Sequence, residues 1–257
     1  MAGSRLQMDL VRESFEPLAD YYARSKAHTD RESLDRVREL AETDPNKIAL
    51  DVATGPGLTA MHLAPRVRQV VGLDLTRRML AKAAELSRAK GIGNIDLVQG
   101  NVYSLPFPDE KFDIVTSRRA PHHFPDLLGA IRSIGRVVKR GGLIVIEDRS
   151  VPEDDFVDRT MNELDVLHDR SHVRDHRPSE WEAVMVDAGL KLEALEEFSR
   201  VWPLTSLTET ARPDDKGEIE RRVRSLDEAG RKRMGVCEID GVPHIRHWYV
   251  VLKARRP

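Results

Sequence analysis

The sequence predicts an α/β fold in which a parallel sheet is covered by helices on both faces. Three features carry this. Between Lys47 and Asp148, five short runs rich in β-branched and apolar residues alternate with segments of helical period. The runs are Ile48–Val52, Gln69–Leu73, Ile95–Val98, Phe112–Thr116 and Leu143–Ile146. Each is nearly all apolar instead of alternating apolar and polar, as strands buried on both faces require. The intervening segments carry helix start and stop signals. Thr76 is placed to cap a helix bearing Met79, Leu80, Ala83 and Leu86 that stops at Lys90-Gly91. Asp126 is placed to cap another, with Leu127, Leu128, Ile131, Ile134 and Val138 on one stripe, ending at Lys139–Gly142.

The flanks complete the outline. A helical stretch from about Leu10 to Thr43 precedes the core and ends at Asp44-Pro45. Val151–Arg177 is polar, with apolar periodicity only at Met161, Leu164 and Leu167. A helix over Ser179–Ala188 stops at Gly189, and a strand follows from Leu190 to about Val201. Thr210–Arg233 is charge-rich and partly helical, Asp240-Gly241 reads as a hairpin turn, and Ile245–Ala254 reads as a terminal strand. With no repeat and no obvious linker, the expectation is one domain. Its parts are a helical lid (1–45), a cofactor core (46–150), cap segments (151–178 and about 203–235), and segments completing the sheet (179–202 and 236–257).

Composition narrows the function. The 257 residues hold 41 Lys and Arg against 43 Asp and Glu, a net charge of −2. Binding a nucleic-acid backbone needs a basic excess, so nucleic acid is not the expected partner. The dense basic runs Arg221–Arg224 and Arg231–Arg233 are interleaved with Glu218, Glu220, Asp227 and Glu228, which describes a solvated helix face. Cys237 is the single cysteine, which excludes an intrachain disulfide; near a strand it is read as a small buried side chain in preference to a reactive thiol. The first ten residues lack the apolar core of a signal peptide and no run of about 18 apolar residues occurs, so a cytoplasmic protein without a membrane partner is expected.

Chemistry concentrates in Leu50–Ala60, Leu-Asp-Val-Ala-Thr-Gly-Pro-Gly-Leu-Thr-Ala. Gly55 and Gly57 sit between a strand and a helix, where backbone approaches a ligand closely. Gly55-x-Gly57-x-x-Ala60 fits the dinucleotide fingerprint, and it equally fits a plain strand-to-helix turn. Asp51 discriminates between ligands. A carboxylate here repels a pyrophosphate and attracts the sulfonium and ammonium of S-adenosylmethionine. Asp74, at the end of the second strand, is suited to accept hydrogen bonds from ribose hydroxyls of either ligand. After the third strand, Gln99-Gly-Asn-Val offers a polar group for the edge of an adenine and an apolar one for its face, and Met79 is placed to cover the other face.

With these motifs the sequence resembles the class I S-adenosylmethionine-dependent methyltransferases, most closely the small-molecule branch of ubiquinone and menaquinone C-methyltransferases. The likeness rests on Asp-Val-Ala-Thr-Gly-Pro-Gly (51–57), Val-Gly-Leu-Asp-Leu-Thr-x-x-Met-Leu (71–80), Gln-Gly-Asn-Val-x-x-Leu-Pro-Phe (99–107), Phe-Asp-Ile-Val (112–115) and Gly-Gly-Leu-Ile (141–144). It covers Phe15 to Asp148 well and the remainder loosely. It departs from the family at Asn101, where an acid is usual; the amide oxygen remains able to accept from an adenine amino group. The resemblance implies a Rossmann-like, seven-stranded, mostly parallel sheet with helices on both faces and an antiparallel last strand. It also implies an N-terminal helical lid over the cofactor, with Tyr22, Ser25 and His28 as lid contacts, and a cap after the fifth strand. Cofactor contacts are expected at Tyr22, Asp51, Ala53, Thr54, Gly55, Gly57, Asp74, Leu75, Met79, Gly100, Asn101, Val102, Ser117 and Arg118, with Arg118 paired to the methionine carboxylate.

The reaction implied is in-line transfer of a methyl group to a small-molecule acceptor, leaving S-adenosylhomocysteine. The loop after the fourth strand carries His122 and His123, either of which could act as a base, cap the next helix or pack beneath the lid. In the cap, His168, His172 and His176 lie near Asp165, Asp169 and Asp175. The spacing of four puts His168 and His172 on one helical face. The cluster reads either as a metal site or as a polar cap helix whose histidines meet solvent or substrate. Methyl transfer needs no metal, so the second reading is preferred, no metal is expected, and His168, His172 and Arg174 are read as acceptor contacts. Two alternatives stay open: a nicotinamide-dependent oxidoreductase, and a protein of this fold that binds the cofactor without methylating. The acceptor, the atom methylated and the oligomeric state, a homodimer included, stay open as well.

Overall fold

The computed structural model describes residues 2–257. Its sheet has the order β3-β2-β1-β4-β5-β8-β6. The strands are β1 (Ile48–Val52), β2 (Gln69–Asp74), β3 (Ile95–Gln99), β4 (Phe112–Arg118), β5 (Val138–Ser150), β6 (Lys191–Pro203) and β8 (Val242–Arg255). The first five are mutually parallel, and β8 runs antiparallel to both β5 and β6. The antiparallel terminal strand is therefore present. A short eighth strand, β7 (Cys237–Ile239), pairs with β8 through the Asp240-Gly241 turn, both of whose residues have positive φ (52° and 76°).

Neighbouring residues along each strand serve opposite faces. Leu50, Val71, Val115 and Ile144 pack with α6 (Leu127–Val137) and α8 (Pro178–Asp187), which add Ile131, Ile134, Trp181 and Met185. Ala49, Val70, Ile114 and Val145 pack with α3 (Arg31–Leu40) and α4 (Leu58–Leu63). Side chains buried this fully contribute about 1.5–3 kcal/mol each, which is why the unbroken apolar runs select a two-faced sheet. A third cluster lies outside the sheet. Val157, Met161 and Leu164 of α7 (Asp155–His168) pack against Leu207 of α9 (Thr205–Thr208), Ile219 and Val223 of α10 (Pro213–Arg224), and Met234 beyond α11 (Glu228–Arg233). The two polar cap segments thus share a small core of their own.

Several boundaries differ from the sequence expectation. The N-terminal stretch is three helices: α1 (Ala2–Phe15), α2 (Ala19–Tyr22) and α3. Pro17, which lacks an N–H and disfavours helical backbone before it, interrupts the first run. Asp30 then caps α3, accepting from Glu32 N at 3.2 Å. The helix after β2, α5 (Arg77–Ala89), is not capped by the Thr76 hydroxyl; the Asp74 carboxylate takes Thr76 N instead, at 2.8 Å. Asp126 does cap α6, accepting from Gly129 N at 2.8 Å, but α6 stops at Val137. Lys139–Gly142 is already strand, because Val138 turns extended and pairs with Phe112. Among the described residues, no helix is long and apolar enough to cross a membrane.

The chain order reverses between β1 and β4, where the carboxyl ends of an open parallel sheet form a crevice. Asp51 fastens the two strands there. Its carboxylate accepts from Thr54 Oγ1 (2.6 Å) and from Thr116 Oγ1 (2.7 Å) and is 1% exposed. Burial pushes its pKa up to about 6, against the hydrogen bonds from Thr54 and Thr116. A raised folded-state value means that Asp51 contributes stability below about pH 4, lost as pH rises through about 6. Relative to Asp51→Asn, the native chain is expected to lose up to about 3 kcal/mol across that window. Urea unfolding of both proteins at several pH values checks this; a difference that stays level between pH 4 and 6.5 contradicts it.

Candidate functional site

Ala53, at the end of β1, has φ 53° without being glycine, and so does Arg119 after β4 at 55°. Left-handed backbone at such residues costs about 1–2 kcal/mol and persists where surrounding contacts impose it. Between these two turns opens a cavity of about 1040 Å³. The glycine loop forms its floor. Thr54 N donates to Leu73 O (2.9 Å), Gly57 N to Thr54 O (2.9 Å), and Gly55 N to Asp74 Oδ2 (2.7 Å). Asp74 accepts from Gly55 N with one oxygen and from Thr76 N with the other, and it lines the cavity. Burial raises its pKa, against the hydrogen bonds from Thr76 and Gly55.

Of the residues expected at the cofactor, Tyr22, Ala53, Thr54, Gly55, Asp74, Leu75, Met79, Gly100, Asn101, Val102 and Arg118 line this cavity. Asp51, Gly57 and Ser117 do not. Asp51 lies beneath the loop and reaches the cavity only through Thr54. Gly57, at φ 79°, opens α4, and a Cβ there would meet the Ala83 side chain at 2.9 Å. Ser117 is buried, and its Oγ has no hydrogen-bond partner among the described residues. Asn101 Oδ1 accepts from Tyr103 N (3.0 Å), and its Nδ2 meets Met8 Sδ at 2.7 Å. Gln7, Met8, Val11 and Phe15 thereby carry α1 across the cavity mouth.

Arg118 does not present a free guanidinium. Its Nε donates to Thr59 Oγ1 (3.1 Å), Nη1 to Ser33 Oγ (3.1 Å) and Glu147 Oε2 (3.3 Å), and Nη2 to His28 O. Arg119 binds the other oxygen of Glu147 (2.9 Å) and lies over the Tyr249 ring at 4.2 Å. Burial penalises the Glu147 charge, yet Arg119 and Arg118 outweigh it and hold its pKa below the usual carboxylate range. The lid is thus fastened to the sheet through a buried ion cluster.

A second cavity, about 1710 Å³ and open to solvent, lies under the cap. Phe15, Tyr22, His28, Arg119 and His123 line both cavities and mark where they meet. His28, His122, His123, His168, His172 and His247 all line the second. Burial keeps most of them neutral: it takes His168 down to about 4, His172 to about 3, and His28, His122 and His247 well below the usual imidazole value. Ser25 lines this cavity, not the first, and meets His28 Nδ1 through Oγ at 3.1 Å.

Asp148 grips His122 twice, accepting the backbone N–H at 2.7 Å and meeting ring Nδ1 at 2.6 Å. Burial, with the Asp175 charge, pushes Asp148 up to about 8. When that carboxylate is ionised and Nδ1–H donates to it, the Nε2 lone pair is available, and no other side chain among the described residues bonds it. His123 is held differently, with Nδ1 at 3.0 Å from Ser171 O and its ring edge-on to Phe15.

In the cap, α7 ends at His168 and His172 lies in the following loop, so the two share the cavity but not a helical face. Arg174 is outside both cavities. It pairs with Asp158 (3.1 Å) and Glu180 (3.0 Å), bracing the loop. Sequence reading missed Arg119, Glu147, Asp148, Arg149, His247 and Tyr249. The first four follow apolar strands at their carboxyl ends, a placement that flags them. His247 and Tyr249 are reached only through the antiparallel register of β8, which pairs Trp248 with Ser150.

Residues 50–146 match the family described as a methyltransferase domain. An uncharacterized methyltransferase, YcgJ of Bacillus subtilis, is 38% identical over 170 residues, 66% of this chain and 67% of that one. The crystal structure of the YcgJ protein superposes with a TM-score of 0.82 at 30% identity, covering 88% of this chain and 98% of that one. The ubiquinone/menaquinone biosynthesis C-methyltransferase UbiE of Shewanella sediminis is 42% identical over 123 residues, 46% of this chain and about half (49%) of its own length. Family membership sets the oxidoreductase alternative aside. Sequence, topology and relatives agree that the chain belongs to the class I S-adenosylmethionine-dependent methyltransferases.

Proposed function

We propose that the first cavity holds S-adenosylmethionine and the second a small-molecule acceptor, with methyl transfer across the residues they share. The observation that carries this is the junction itself: Phe15, Tyr22, His28, Arg119 and His123 border both spaces. The first cavity fits the donor on three counts. Asp74, a buried carboxylate on the cavity wall, is a fitting acceptor for ribose hydroxyls. Met79 and Val102 offer apolar faces and Asn101 a polar edge for the base. The buried Asp51 carboxylate sits one hydroxyl away, beneath Thr54, and favours a cation over a pyrophosphate.

When bound, the donor supplies an electrophilic methyl group on a sulfonium, which passes to the acceptor and leaves S-adenosylhomocysteine. The chain's own residues align and enclose. Aligning two reactants is worth about 7–11 kcal/mol of the barrier, and α1 with Tyr22 and His28 excludes water from the meeting point. The acceptor space combines neutral imidazoles, aromatic rings and Arg119. This suits a compact molecule bearing an oxygen, and an ionisable hydroxyl or enol in particular. Above about pH 8, where Asp148 is ionised and accepts from Nδ1–H, His122 is placed to take the proton such an acceptor loses.

Calorimetry with S-adenosylmethionine and S-adenosylhomocysteine, followed by S-adenosylhomocysteine release against an acceptor panel, tests this. Saturable binding and acceptor-dependent release are expected. Failure to bind at millimolar donor, a limit of about −4 kcal/mol, overturns the reading, and binding without release from any acceptor favours a protein that does not methylate. Asp74→Ala is expected to weaken donor binding at least tenfold, since each hydrogen bond to a charged group contributes about 1.5–3 kcal/mol; unchanged affinity in a folded variant refutes the ribose assignment. His122→Gln should slow turnover of acceptors that lose a proton by about 100-fold and leave donor affinity within about twofold, read from kcat and calorimetry together.

A further inference from the structure

The wall of the acceptor cavity contains a group that methyl transfer does not use. Asp165 comes from the last turn of α7, and His172 and Asp175 from the loop behind it. All three are buried, and one donor atom from each lies within 4.8 Å of the other two. Asp165 and His172 face the cavity.

Among the described residues, the two aspartate side chains are held only by Arg149 and by each other. Arg149 engages one oxygen of each, with Nη2 at 2.5 Å from Asp165 Oδ2 and Nε at 3.3 Å from Asp175 Oδ2. Beyond the contact between the two carboxyl groups, the Oδ1 atom of each is buried with no N–H or O–H donor among the described residues, although Asp165 is 2% and Asp175 0% exposed. Buried carboxylate oxygens are ordinarily paired or bound to a cation.

His172 is independently oriented as a ligand. Asn162 Nδ2 donates to Asp158 Oδ1 (2.8 Å), and Asn162 Oδ1 accepts from Asp175 N (2.7 Å), which fixes the amide. His172 Nε2 lies 3.1 Å from that same Oδ1 and therefore carries the hydrogen. Nδ1 is left with its lone pair. Metal-binding imidazoles are held in this way, by an acceptor on the far nitrogen.

We propose that Asp165, His172 and Asp175 bind a divalent cation whose remaining coordination positions open into the acceptor cavity and take an oxygen of the acceptor. Two carboxylates and one imidazole suit Mn²⁺ or Zn²⁺, and three protein ligands leave room for water or substrate. The site departs from the expectation that no metal is bound. Its role in holding the acceptor rests on the methyl-transfer reading; the cation site itself does not.

Titrating the metal-stripped full chain with Mn²⁺, followed by electron paramagnetic resonance, and with Zn²⁺ by calorimetry, tests the site directly. About one equivalent is expected to bind. Asp165→Asn, Asp175→Asn and His172→Gln should each weaken binding at least tenfold, with S-adenosylhomocysteine affinity held within about twofold. Should an aspartate variant fail to fold, as circular dichroism would reveal, His172→Gln decides. No saturable binding of either cation up to millimolar concentration, or binding unaltered by His172→Gln, overturns the site. S-adenosylhomocysteine bound while both cations are ignored removes the cation site and spares the methyl-transfer reading; the opposite result does the reverse.

Discussion

The site depends on one buried carboxylate. Glu147, 1% exposed at the carboxyl end of β5, holds Arg118 and Arg119 and accepts from Ser33 Oγ at 2.5 Å. A charge placed there without partners would be costly, and removing one partner of a buried pair is strongly destabilising. The sheet, the N-terminal lid and the turn after β4 are therefore locked to one another. Arg118 reaches the lid through His28 O, and Arg119 reaches Tyr249 on the antiparallel strand. Through these two side chains the outline of both cavities follows from the position of one acid.

Much of the cofactor half is legible in the sequence because its determinants are local. Ile48–Val52 and Gln69–Asp74 announce strands by composition, and the glycine loop between them declares itself by residue type. Asp74 can be assigned because it stands at a strand's end. Gly57 shows the limit of such reading. The residue belongs to the motif, yet its lack of a side chain serves the contact with Ala83 and not the cavity.

The second cavity is harder to read because long-range register assembles it. Spacing suggested a shared helical face for His168 and His172, but the chain leaves the helix between them. Both still reach one cavity because His122 O accepts from Val173 N and Arg174 N (2.9 and 3.1 Å), drawing the cap loop onto the sheet. Arg118 misleads for a related reason. Its position at the first cavity is apparent from sequence, while its commitment to Glu147, Ser33 and His28 rests on partners up to 90 residues away.

The cap's separate packing has an evolutionary consequence. Met161, Leu164, Leu207, Ile219 and Met234 cohere with one another and leave the strands that hold the glycine loop to a different set of neighbours. Substitutions can accumulate in that outer layer, and insertions can lengthen it, without disturbing the packing around the glycine loop. A chain built on this plan can remodel the roof over the second cavity while the layer around the glycine loop keeps its own packing.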